Sequence, residues 1–200
     1  MRRQANPMTG GPREIMTGFR QDWGRTAKRI RVPMGFLAAV FYLWLARPSA
    51  ASLLWSTALV GPGLLLRACA SGYVKKNSEL ATAGPYAYTR NPPYLGSALL
   101  ACGFALAAHS RRIALALAIL FALLYWPTIR SEEAFLRSRF PEFDEYARRV
   151  PRLLPRLTAA PTGRTAGFSA ALYWKHREYN AFLGACAVYA ALLARLLLRA

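Results

Sequence analysis

The chain has 200 residues, of which 54% are hydrophobic and only 18% charged, yet its formal net charge is +18. In a polar chain such a basic excess would point to nucleic acid; here the charges sit in blocks between apolar runs, the pattern of a membrane protein, so no nucleic-acid partner is expected. Cys69, Cys102 and Cys186 are widely spaced, with no CxxC or Cys/His cluster. Neither a metal site nor a disulfide framework is indicated, and the three are expected to be small buried apolar residues.

Residues 1–31 form an arginine-studded stretch with no small-residue cleavage site, read as a basic cytosolic tail rather than a signal peptide. Apolar runs follow at 32–46, 49–66, 94–109, 113–129 and 181–198, each of 15 to 18 residues. A bilayer core asks for roughly 20, and flanking Tyr, Trp and Arg can reach the interface to make up the difference. Buried helices of a soluble bundle would need polar faces at helical spacing, and the fourth run offers almost none. The links "RPS" and "SRR" are too short for anything but tight antiparallel hairpins. The expected fold is therefore all-α and multi-pass: about five transmembrane helices as two tight hairpins plus a C-terminal helix, spanning residues 32–200. Segments 1–32, 67–92 and 130–177 hold 22 of the 27 Lys and Arg residues. With alternating spans these lie on one side, the cytosol, together with the N-terminus and the polar loops.

Two of those segments carry chemistry. In "KKNSELATAGPYAYTRNPPYLG", Lys75 to Gly96, Gly84 can take positive φ and Pro85, Pro92 and Pro93 each fix φ, so the backbone is expected to be stiff, extended and turned. Tyr86 and Tyr88 should face opposite ways, and Tyr94, in the first turn of the next helix, should point back at the loop. Taken singly, each tyrosine would serve equally as an interfacial anchor. In "WPTIRSEEAFLRSRFPEFDEYARRVPRLLP", Pro127 should kink the fourth helix and Glu132 and Glu133 leave it at the mouth of the bundle. A solvated helix exit is the plainer reading of that pair. Pro141, the acidic first turn, Arg148, Arg149 and Pro151 describe a short amphipathic helix with a Phe143, Tyr146, Val150 stripe.

The run from Leu80 to Gly96, then "RSEEAFL", then "EYARRVPRLLP", resembles the signature of the isoprenylcysteine carboxyl methyltransferase family, related to the membrane phospholipid methyltransferases, over about residues 67–157. The resemblance implies an integral membrane enzyme that takes S-adenosylmethionine from the cytosol and methylates a lipophilic acceptor from the bilayer. Carried over position by position, it implies cofactor binding at Leu80, Ala81, Tyr86, Pro92, Tyr94 and Glu132, with Asn91 where the family usually has histidine.

The cofactor's ammonium, carboxylate and sulfonium ask for an anion, donors and aromatic faces. Glu132, the backbone of 78–81 and Tyr86 or Tyr94 can supply them. "GPGLLL" at Gly61 lacks the third glycine of a nucleotide fingerprint, so a Rossmann-type site is excluded. Arg90 or Arg130 could hold an anionic acceptor, and Glu133 completes the candidate catalytic set. Asn91 cannot take a proton near neutral pH, which would disfavour an amine acceptor unless another base exists; His176 could be one, or could sit in the headgroup layer, and His109 lies on the outer side. The rivals are a phospholipid N-methyltransferase, a non-catalytic membrane scaffold that keeps the fold, and a small transporter, which Gly61-Pro62-Gly63 and Pro127 as helix breaks would fit only if the two halves were alike.

Overall fold

The structure is a computed structural model and describes residues 37–75, 78–161 and 167–199. The chain divides into two units, residues 1–44 and 45–200. Of the first, residues 37–44 are described and helical, with the Phe41 and Trp44 rings 6.2 Å apart. The basic tail 1–31 and the start of the first apolar run lie outside the described residues.

The second unit is all-helical among its described residues: α1 (Ala50–Tyr73), a 3₁₀ turn (Gly84–Ala87), α2 (Pro92–Ala108), α3 (Arg111–Arg139), α4 (Phe143–Arg149), α5 (Ala170–Lys175) and α6 (Tyr179–Leu197). α1, α3 and α6 are long and apolar enough to cross a membrane; α2, with 17 residues, is shorter. Their outward faces carry large exposed side chains, Leu54 and Leu65 on α1, Leu115 and Leu123 on α3, Phe182 and Leu193 on α6. In water such surface would be costly, and in lipid it is the matching solvent. The three cysteines also lie on exposed faces rather than in the interior. That corrects the expectation of burial: the interior between helices goes to smaller residues still.

α1 and α2 pack through those small residues. A Cβ on Gly63 would stand 2.9 Å from the Gly96 carbonyl oxygen, and one on Gly103 would stand 2.5 Å from Val60. Backbones this close are the mode of helix association that lipid permits, because van der Waals contact and hydrogen bonds must replace a hydrophobic drive. Ser52 Oγ adds a hydrogen bond of 3.1 Å to the Ala107 carbonyl. The link before α1 meets the end of α2, where the Arg47 amide donates to Ala108 at 2.8 Å, and Arg195 of α6 donates to Ala46 at 2.9 Å. That end of the bundle is sealed by short links. The loops and short helices 78–91, 140–161 and 167–178 gather at the other.

Neither internal proline breaks its helix: α1 runs through Pro62 and α3 through Pro127. A proline removes one donor, yet the helix continues on both sides; just past Pro127, Thr128 Oγ1 donates to the Leu124 carbonyl at 2.6 Å and Ser131 Oγ to the Thr128 carbonyl at 2.9 Å. Beyond α3, Phe143, Tyr146 and Val150 are buried against Leu80 and Ala160. The stripe of α4 is thus a small core that fastens the polar end rather than a face laid on lipid.

Candidate active site

The connector before α2 is tighter than an extended strand. Gly84 has φ +58°, and Gly84–Ala87 close a 3₁₀ turn, with the Tyr86 amide donating to Ala83 and the Tyr88 amide to Pro85, both at 3.2 Å. The fixed φ of Pro85 suits a 3₁₀ turn as well as an extended chain, and local bonds decide for the turn. As expected, the two tyrosines separate: Tyr86 is buried and Tyr88 exposed. Pro92 then opens α2, where a missing amide hydrogen costs nothing.

The connector is held by the segment after α4. Arg90 N–H donates to the Pro151 carbonyl, Arg156 N–H to Tyr88 and Ala160 N–H to Ala87, each at 2.9 Å. Thr89 Oγ1 donates to the Leu153 carbonyl at 3.0 Å, and the Tyr146 hydroxyl to the Tyr86 carbonyl at 2.8 Å. Burial raises the Tyr146 hydroxyl above its ordinary range, so it stays a donor at any physiological pH.

Glu133 is the hub. Its side chain is 5% exposed and meets Arg152 through Oε2, at 3.0 Å from Nε and 2.9 Å from Nη2. Oε1 accepts from Asn91 Nδ2 at 3.2 Å and lies 3.3 Å from Arg90 Nε. The Arg90 contact is an ion pair without hydrogen-bond alignment, since that Nε has no bonding partner; Nη1 donates to the Ala147 carbonyl at 3.2 Å. Burial lowers the Arg90 guanidinium from its ordinary value and the Glu133 carboxylate opposes the shift. Asn91 uses its second N–H on the Arg152 carbonyl at 2.9 Å. Both oxygens of Glu133 are therefore spent within the protein.

Its neighbour is placed otherwise. Glu132 lies on the exposed face of α3, in hydrogen-bond reach of the Tyr94 hydroxyl. Tyr94 packs edge-on to Tyr125 at 5.4 Å, and Tyr125 stacks on Phe121 at 4.5 Å. Tyr86 is close enough to feel Tyr146, Glu132, Tyr94 and Glu178, though burial is the main reason its hydroxyl is raised above the ordinary range. Tyr94 and Glu132 are thus neighbours, a ring beside one available carboxylate, while Tyr86 is buried in the connector. Arg130 is exposed on α3, 6.0 Å from the Trp126 ring, whose other visitor is Arg152 at 5.6 Å.

Leu80 and Ala81 line a cavity of about 470 Å³ with Tyr73, Lys75, Glu79, Thr82, Ser169 and Leu172 among its walls. Thr82 Oγ1 is closed off from solvent and has no hydrogen-bond partner among the described residues. A volume of this order fits a ligand of cofactor size. The Glu79 carboxylate and the Tyr73 ring in the cavity walls are groups of the kind S-adenosylmethionine asks for, whereas Tyr86, Tyr94 and Glu132 are not among those walls.

Sequence reasoning missed four participants. Arg152 lay in the quoted "VPRLLP" without a role. Arg67, Ser97 and Glu178 come from three helices: Arg67 Nε donates to Glu178 Oε1 at 2.6 Å and Nη1 to Ser97 Oγ at 2.5 Å. The available signal was a lone arginine at the edge of an apolar run, which in a membrane protein marks function by default. His176 Nδ1 is 3.0 Å from the Ser71 carbonyl, tied to α1. Among the described residues no group of three or more His, Cys, Asp or Glu is placed to hold a metal ion.

Fold and site describe an all-helical protein with membrane-capable helices whose polar loops converge at one end. The family model described as phospholipid methyltransferase matches residues 66–142, the stretch from the end of α1 to the start of α4, in agreement with the family that the motifs resemble. Over 84 residues the chain is 45% identical to the cobalt-zinc-cadmium resistance protein CzcN of Cupriavidus metallidurans and 44% identical to the nickel-cobalt-cadmium resistance protein NccN of Alcaligenes xylosoxydans xylosoxydans. Each match covers 42% of this chain and 39% of the relative, so the chain spans well under half the length of these relatives. No solved structure matches.

Proposed function

We propose that the protein is an S-adenosylmethionine-dependent membrane methyltransferase acting on a lipid-like acceptor, an isoprenylcysteine-type carboxylate or a related lipophilic molecule. The observation that supports this reading is the coincidence of the family match at 66–142 with the connector and helices that carry Tyr86, Tyr94 and Glu132. When bound, the cofactor supplies an electrophilic methyl group. Glu132 takes its ammonium or a ribose hydroxyl, the backbone around Leu80 and Ala81 cradles the rest, and Tyr86 and Tyr94 offer aromatic faces to positive charge. Pro92 keeps α2 starting at the point that aims Tyr94. Arg90, Glu133 and Asn91 keep the loop in place from behind; Arg130, which pairs with no carboxylate among the described residues, faces the headgroup layer with the acceptor. Such a site gains its rate from positioning and from exclusion of water around charged reactants. In this reading the polar end faces the cytosol. A carboxylate acceptor suits Asn91, which has no proton to exchange near neutral pH, better than the amine of a phospholipid N-methyltransferase does. What the relatives' names say of metals belongs to those proteins.

Replacing Glu132 by Gln keeps shape and removes charge. Calorimetry on the purified chain in detergent should show S-adenosylmethionine binding weakened by about 1.5–3 kcal/mol. Equal affinity in parent and variant would take the cofactor role from Glu132 and leave the loop as an interfacial anchor.

A further inference from the structure

Arg67 belongs to α1, one of the helices fit to cross a membrane, yet its side chain is only 24% exposed and its partner Glu178 16%. A half-buried ion pair is a poor means of joining helices, because apolar side chains of similar volume commonly do as well or better. Its geometry points to another use. Glu178 engages Nε and Nη2 through one oxygen, and Ser97 engages Nη1. Of the five N–H donors of a guanidinium, contacts among the described residues leave one on each terminal nitrogen, a pair that can grip an oxyanion from two points. Ser97 stands one helical turn after Tyr94 on α2, so its bond holds the Arg67 guanidinium against the face of α2 that carries Tyr94. The path of the arginine stem is kept clear by Gly96, where a Cβ would meet Arg67 Cγ at 2.6 Å. Glu178 lies outside the matched segment 66–142, just before α6, so the C-terminal part of the chain completes this corner.

We propose that Arg67, oriented by Glu178 and Ser97, binds the oxyanion headgroup, carboxylate or phosphate, of an amphiphilic acceptor beside Tyr94. The acceptor role rests on the function proposed above; the anion site itself does not. Glu178 and Ser97 are positioning residues that hold the fork open toward the aromatic pair. Arg130, exposed on α3, lies 6.0 Å from the Trp126 ring instead.

The test is direct binding to the full chain in detergent by calorimetry, with three probes: N-acetyl-S-farnesylcysteine, its methyl ester, and dihexanoyl phosphatidic acid. The parent should bind at least one of the two anions about ten-fold or more tightly than the neutral ester, and which anion is preferred tells carboxylate from phosphate. Arg67→Gln should erase the preference while leaving ester affinity as it was, which also shows that the variant is folded. Glu178→Gln and Ser97→Ala, milder changes, should each reduce the preference about three-fold. A parent without preference for anion over ester overturns the proposal, as does an Arg67→Gln or, if that variant does not fold, a Ser97→Ala and Glu178→Gln pair that keeps the full preference. S-adenosylmethionine affinity of the parent is read separately: its absence beside an intact anion preference would fell the methyltransferase reading and spare the anion site.

Discussion

Glu133 gathers Arg90 and Asn91 from the connector and Arg152 from further on, so one carboxylate joins α3, the connector before α2 and the segment after α4. Asn91 is suited to that post because one amide has two N–H groups, spent on Glu133 and on the Arg152 carbonyl. A neutral imidazole has one N–H and would leave one acceptor unsatisfied. Removing the charge by Glu133→Gln strands a buried arginine, and breaking such a pair costs several kcal/mol. Arg152 is 38% exposed and can turn to water, so the expected loss is about 3 kcal/mol rather than more. A thermal melt in detergent checks it, and an unchanged midpoint would mean that the cluster does not fasten the loop. Glu132→Gln should melt like the parent, since that carboxylate is on the exposed face.

At the scale of elements, the α1–α2 pair rests on how closely two backbones approach. Gly63→Ala would put a methyl 2.9 Å from the Gly96 carbonyl and 3.1 Å from Leu99 Cβ, against atoms that cannot swing aside. Overpacking of this sort costs about 1–3 kcal/mol. Gly61, two residues earlier on the same helix, has nothing within 4 Å of its would-be Cβ. Gly61→Ala should therefore be neutral or stabilising by about 0.5–1 kcal/mol, the ordinary gain of alanine over glycine in a helix. The two melting curves should move in opposite directions; a common shift would mean that backbone entropy and not interhelical contact controls both sites.

For the whole molecule the testable quantity is sidedness. With 22 of 27 basic residues in segments 1–32, 67–92 and 130–177, reporter fusions after residue 75 and after residue 160 should read as cytosolic, and a fusion at residue 200 as exterior. The structure bears on this through what shares an end: the links at Arg47 and Ala108 and the Arg195 contact lie together, while the connector, α4 and the 151–160 segment lie together. A cytosolic C-terminus would mean an even number of crossings, with α2 or the first apolar run held short of spanning.

Composition and apolar run length determined the helical, membrane-type character of this protein, because hydropathy is summed over residues and needs no partner. The motifs from Leu80 to Val150 likewise carried the family likeness, and Gly84, Pro92 and the α4 stripe were legible since turn and helix-start chemistry is local. What only the tertiary structure decided is which charges remain available. Glu132 and Glu133 are adjacent in sequence and look alike there, but a helix turns 100° per residue, so one faces outward beside Tyr94 and the other is enclosed by arginines. The same holds for Arg67 and Glu178, 111 positions apart and 2.6 Å from contact to contact: no local pattern encodes a meeting that exists only once α1, α2 and α6 are packed.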